Sequence, residues 1–127
     1  MPTDERDRTN RAVRVPLSGL GPGRTRLFEF ERDGEHLTGI LLNSSGEPRA
    51  YVNRCPHVTY SLDMGDGDVM DKSRKFLLCH SHGAMFLPES GECFWGPAVG
   101  KALEALPCVV DGDAVVVTIP PEPEDWP

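Results

Sequence analysis

Tyr51-Val52-Asn53-Arg54-Cys55-Pro56-His57, followed after 21 intervening residues by Cys79-His80-Ser81-His82, decides how this chain is read. The C-x-H and C-x2-H motifs each offer one thiolate and one imidazole, the side chains that bind soft and borderline metals well. A four-ligand metal site is the first expectation. Cys2His2 is a common set for structural zinc, so a small zinc module is one reading. Structural zinc in small domains, however, usually draws a Cys pair from one knuckle and a His pair or second Cys pair from the other, whereas each motif here is mixed. Mixed pairs suit a [2Fe-2S] cluster with two His on one iron and two Cys on the other, because each loop can then serve both irons.

Outward from the motifs, the sequence predicts an all-β domain. Arg49 to Asn53 reads as a strand running into Cys55, and Lys75 to Leu78 as a strand entering Cys79, so both motifs fall in loops at strand ends. Upstream, Ala12 to Leu17, Arg26 to Glu31 and Leu37 to Leu42 read as strands. Asp33-Gly34 is the dipeptide that tolerates positive φ in a tight hairpin, and a second hairpin is expected at Asn43 to Pro48. Downstream, Gly83 to Phe86 reads as a strand, Pro88 to Gly91 as a turn, and Gly96-Pro97 with Gly100 as an irregular loop over core residues Leu103 and Leu106. The last hairpin pairs Pro107 to Val110 with Ala114 to Ile119 around Asp111-Gly112-Asp113. Its Val115-Val116-Val117 run suggests a strand covered on both faces.

The acidic stretch Asp63 to Asp68 reads as an exposed loop. An EF-hand-type loop starting at Asp66 would need Gly at position 71 and Glu at 77, where the chain has Asp71 and Leu77. Length and charge narrow the function. The 127 residues suit one domain, expected over 12–119 with loosely ordered tails at 1–11 and 120–127. A net charge of −7 with scattered Lys and Arg argues against nucleic acid as a partner. No signal-type apolar run and no membrane-length stretch is present, so a soluble cytoplasmic protein with four reduced cysteines is expected.

Cys55-Pro56-His57, Cys79-His80-Ser81-His82-Gly83-Ala84-Met85-Phe86, Gly91-Glu92-Cys93 and Gly96-Pro97-Ala98 with Leu103 resemble the pattern of small Rieske ferredoxins and related oxygenase domains. The resemblance covers 12–119 in layout and is most specific over 55–106. It implies three small antiparallel sheets, with a cluster-binding subdomain at about 54–100 inserted into a base domain. It also implies that Cys55 and Cys79 bind the inner iron of a [2Fe-2S] cluster and His57 and His82 the outer one, with Gly96-Pro97 lying over the cluster. Two features depart from the pattern. His80 stands where the family usually has Pro, though His82 keeps the motif's spacing and is followed by Gly83. The 21-residue gap exceeds that of the shortest ferredoxins.

The same comparison bears on potential. High-potential members link the two ligand loops by a disulfide, at places held here by Tyr60 and by His80 or Ser81, and set Ser and Tyr hydroxyls against the cluster sulfurs, where this chain has Ala84 and Phe86. Losing such bonds lowers the potential, toward the low end of the roughly −150 to +300 mV span of these centres.

The function implied is one-electron transfer, for instance between a flavin reductase and an oxygenase, with the acidic surface steering toward a basic patch. An alternative is a regulatory or electron-transfer subunit of a larger reductase, similar to the small subunits of nitrite reductases; the structural zinc module is the third reading. Chemistry on a substrate is not expected. An oxygenase needs a mononuclear iron site, typically two His and a carboxylate, and beyond the cluster ligands only His36 and His80 remain. No Ser-His-Asp arrangement or phosphate-binding glycine loop stands in a usable context. Cys93 and Cys108 read as small buried hydrophobes, His36 as solvated, and Trp95 as either a shield for the cluster or ordinary packing.

Overall fold

The computed structural model describes residues 11–56, 61–63 and 67–121. Its elements are ten strands: β1 (Arg11–Pro16), β2 (Thr25–Arg32), β3 (Glu35–Ser44), β4 (Glu47–Val52), β5 (Leu77–Leu78), β6 (Met85–Phe86), β7 (Cys93–Trp95), β8 (Ala105–Leu106), β9 (Cys108–Asp111) and β10 (Ala114–Ile119). Among the described residues there is no helix long and apolar enough to cross a membrane. The strands form three antiparallel sheets, ordered β1-β10-β9, β2-β3-β4-β8 and β5-β6-β7.

Turn chemistry fixes the central sheet. Arg32 pairs with Glu35 around Asp33 and Gly34, whose φ values of 53° and 79° are the two left-handed conformations a two-residue type I′ turn requires. The next turn repeats the device with Ser45 and Gly46 between Ser44 and Glu47, and the Asn43 side-chain oxygen accepts the Gly46 amide at 2.7 Å. With the register set, side chains alternate between two buried faces. Leu27, Ile40 and Tyr51 stand abreast on one face, and Leu41, Ala50 and Leu106 on the other.

Each face has its own core. Phe28, Phe30, Leu41, Ala50, Val52 and Leu106 pack against Val15, Val115, Val117 and Ile119 of the first sheet. Ile40, Leu42 and Tyr51 pack the opposite way, against Leu62, Met70, Leu77, Cys79 and Phe86. The chain leaves the central sheet after Val52, builds the third sheet, and returns at Ala105 to pair with β4, the strand it left. This is a base with an inserted subdomain, as expected. A buried ion pair joins the two parts: Arg32 donates to both Glu104 carboxylate oxygens at 2.7 and 3.0 Å, with side chains 3% and 6% exposed.

The structure corrects three expectations. β10 is not covered on both faces: Val115 and Val117 are buried, but Val116 between them is only half-buried, because β10 packs one face on the central sheet and turns the other outward. Strand β8 lies where Leu106 was expected only as core, and β7 forms at Cys93–Trp95, where no element was foreseen. Asp63, read as part of an exposed loop, is buried, while Asp68 in the same stretch is exposed. Residues 64–66 of that stretch lie outside the described residues.

Candidate metal centre

Both cysteines of the motifs are placed by strand ends. Cys55 follows β4 by three residues and Cys79 follows β5 directly, and each is 1% exposed in the apolar core that also holds Leu62, Ala84 and Phe86. His82 is carried out to the surface by a tight turn in which the Gly83 amide bonds to the Cys79 carbonyl at 2.9 Å and the Cys79 amide to Ala84 at 2.8 Å. The Ser81 hydroxyl lies 3.1 Å from Nδ1 of His82. Two thiols inside and an imidazole at the rim, in loops that share one core, fit a cluster with sulfur ligands buried and nitrogen ligands outward. His57 lies outside the described residues, as does Tyr60, and among the described residues no group of three or more Cys, His, Asp or Glu side chains converges on one point.

The other candidates sit in different surroundings. His80 is exposed, and its backbone amide bonds to the Leu62 carbonyl at 2.9 Å. His36 is exposed beside Glu29, 3.2 Å away, on the β2–β3 hairpin. Cys93 is buried with its thiol on the Trp95 carbonyl, and half-buried Cys108 has its thiol pushed to a higher pKa by burial. None of the four cysteines is joined in a disulfide.

A loop lies against the second motif. Gly96 has φ +100°, and a Cβ there would stand 2.8 Å from Ala84 Cα, so only glycine lets the chain approach this closely after His82. The approach leaves Trp95 and Val99, each 60% exposed, and Phe94, 41% exposed, at the surface, with the Phe94 ring tilted 58° against that of Phe76, centroids 4.8 Å apart. Trp95 lies largely at the surface, beside Gly83, as part of an apolar rim near His82.

Sequence reasoning missed the polar groups that hold these loops. Asn53 and Asp63, both 6% exposed, are hydrogen-bonded to each other at 3.1 Å. Burial alone would raise the Asp63 pKa. The bonds it accepts from Asn53, from the backbone amide of Gly67 and from Ser61 hold it below the ordinary carboxylate value instead. The signal available was Asn at the strand end before the first cysteine, which alone names no partner.

The family model for the Rieske [2Fe-2S] domain matches residues 19–118. The fold is similar to the ferredoxin of carbazole 1,9a-dioxygenase from Nocardioides aromaticivorans IC177, at 28% identity and TM-score 0.63, over 87% of this chain and 98% of that one. It is also similar to a chain from a complex of reduced oxygenase and oxidized ferredoxin in carbazole 1,9a-dioxygenase, at 21% identity and TM-score 0.65, over 89% and 97%. The terminal oxygenase of carbazole 1,9a-dioxygenase from Novosphingobium sp. KA1 shares the fold at 17% identity and TM-score 0.67, over 94% of this chain but 32% of that one. No curated protein matches the chain.

Proposed function

The chain belongs to the Rieske [2Fe-2S] family, and from that premise we propose that it is a one-electron carrier delivering electrons to a terminal oxygenase. The observation that carries the reading is the pairing of two buried cysteines, in loops sharing one core, with a histidine exposed one turn after the second. Its likeness over nearly the whole length of a dioxygenase ferredoxin supports the same role. We assign the cluster to Cys55 and Cys79 on the inner iron and His57 and His82 on the outer. The assigned domain is 12–119, with 54–100 as the cluster-binding part. When bound, such a cluster takes up and releases one electron.

The residues of this chain set the terms of that exchange. Ala84 and Phe86, buried in the same core, offer no side-chain hydroxyl to cluster sulfurs, which supports a potential near the low end of the family's range. Phe94, Trp95 and Val99 provide a desolvatable contact beside His82, and exposed Glu29, Glu31, Asp33 and Glu35 on the β2–β3 hairpin favour a partner with a basic surface. A flavin reductase is the donor this arrangement suits, in a reducing, cytoplasmic setting consistent with four cysteines outside any disulfide.

The test is anaerobic mixing of the chemically reduced protein with an oxidised terminal oxygenase, following the visible spectra of both. Electron transfer at a rate that falls with added salt is expected. A protein that contains zinc but no acid-labile sulfide, or one that co-purifies with a large reductase subunit and reduces only that subunit, would overturn the reading.

A further inference from the structure

The two ligand loops are joined through the backbone of Leu62 and one buried side chain. Asn53, the last residue bound to the central sheet before Cys55, has its amide on the Thr38 carbonyl at 2.8 Å. Its side chain turns across the loop that follows: Oδ1 accepts the Leu62 amide at 2.8 Å, and Nδ2 donates to Asp63 Oδ1 at 3.1 Å. Asp63 Oδ2 in turn accepts the Gly67 amide at 2.7 Å. The Leu62 carbonyl then takes the amide of His80, the residue after Cys79, at 2.9 Å. Leu62 is thus held by Asn53 on its amide and holds the second motif with its carbonyl, and it is itself fully buried.

We propose that Asn53, with Asp63, is the positioning clamp that keeps the two ligand loops in register for the cluster. This rests on the assignment of Cys55, His57, Cys79 and His82 as ligands, and it adds residues outside both motifs. Cys55 and Cys79 come from loops that no strand ladder joins among the described residues, and no disulfide links the two cysteines. A path of short bonds from β3 through Asn53 and Leu62 to His80 fixes one loop against the other. The clamp is buried, so its bonds do not compete with bulk water, and losing a partner strands a buried donor or acceptor.

The test compares Asn53→Ala and Asp63→Asn with Asn43→Ala. Asn43 makes two equivalent side-chain bonds, to the Leu20 carbonyl at 2.9 Å and from the Gly46 amide at 2.7 Å, but within the base. Each holoprotein is assayed for iron and sulfide, for melting temperature, for the rate of cluster loss to a chelator, and for the EPR line width of the reduced cluster. N53A is expected to lose its cluster roughly tenfold faster than wild type with a broadened EPR signal, the order expected when buried hydrogen-bonding groups lose their partners. D63N keeps an oxygen for Asn53 but presents an amide to Gly67, and falls between. N43A is expected to melt lower without either change. Should N53A fail to load, D63N carries the same comparison. Cluster loss and line width in N53A and D63N no different from N43A would overturn the clamp while leaving the carrier reading intact; wild-type protein without iron and sulfide would overturn both.

Discussion

The base and the inserted region reach order by different routes. In the base, strands of up to ten residues pair along long ladders, and the central sheet buries side chains on both faces, one of them against the first sheet. Between Val52 and Ala105 no described strand exceeds three residues, and order comes from loop amides bonded to carbonyls and side chains. Burial of long strands is cooperative and needs no ligand, whereas short strands with few ladder bonds have little stability of their own. The lesson is that the base should fold alone and the inserted region should depend on its metal centre.

The strongest way to break that contrast is to remove a ligand. Cys55→Ser or Cys79→Ser is expected to abolish the visible spectrum completely. In hydrogen exchange, amides of Leu78, Cys79 and Gly83 should then exchange on the order of a hundredfold faster while those of β3 stay protected. Uniform loss of protection would mean that the two regions are one cooperative unit. The next largest effect should come from the pair that joins them. Glu104→Ala leaves Arg32 buried without its carboxylate and Arg54, 3.9 Å from the same group, without it too. Urea unfolding should show a loss of roughly 3–5 kcal/mol, because a buried charge stripped of its partner is strongly destabilising.

These two predictions also mark what the sequence could and could not disclose. Asp33-Gly34 announced its hairpin because the turn demands positive φ at both positions, and the paired motifs announced the family because a mixed Cys and His pair on each loop suits few metal groups. Arg32 and Glu104 are 72 residues apart, and nothing local in either predicts the other. Strands β7 and β8 are too short for periodicity to act; they are ordered by Phe86 pairing with Cys93 and by Ala50 pairing with Leu106. Asp63 looked like exposed Asp68 because burial depends on Asn53, ten residues earlier. The Val115-Val116-Val117 run misled because three branched residues suit a half-covered strand as well as a fully covered one.

Smaller effects sharpen the contrast at the surface. Trp95→Ala should change stability by less than about 0.5 kcal/mol, since the side chain is largely exposed, yet weaken oxygenase docking about tenfold in a binding titration. Equal binding would remove the apolar rim from the interface. The smallest effect is the response to acid. Asp63 is held below its ordinary pKa in the folded chain, so its carboxylate stabilises the fold above the unfolded value near 4, and that stabilisation is lost as pH falls through the lower folded value. The melting temperature of wild type should therefore exceed that of Asp63→Asn by a constant margin above about pH 5 and converge with it in stronger acid. A margin independent of pH would contradict this.

The central claim is that two cysteines and two histidines of this chain hold a [2Fe-2S] cluster that carries one electron. The most direct measurement is low-temperature EPR of the reduced protein with hyperfine resolution of the nitrogen couplings. One spin-half signal per chain, coupled to two histidine nitrogens that fall to one in His82→Cys, is the predicted result. A reduced protein with no such signal, or a signal coupled to no histidine nitrogen, would contradict it.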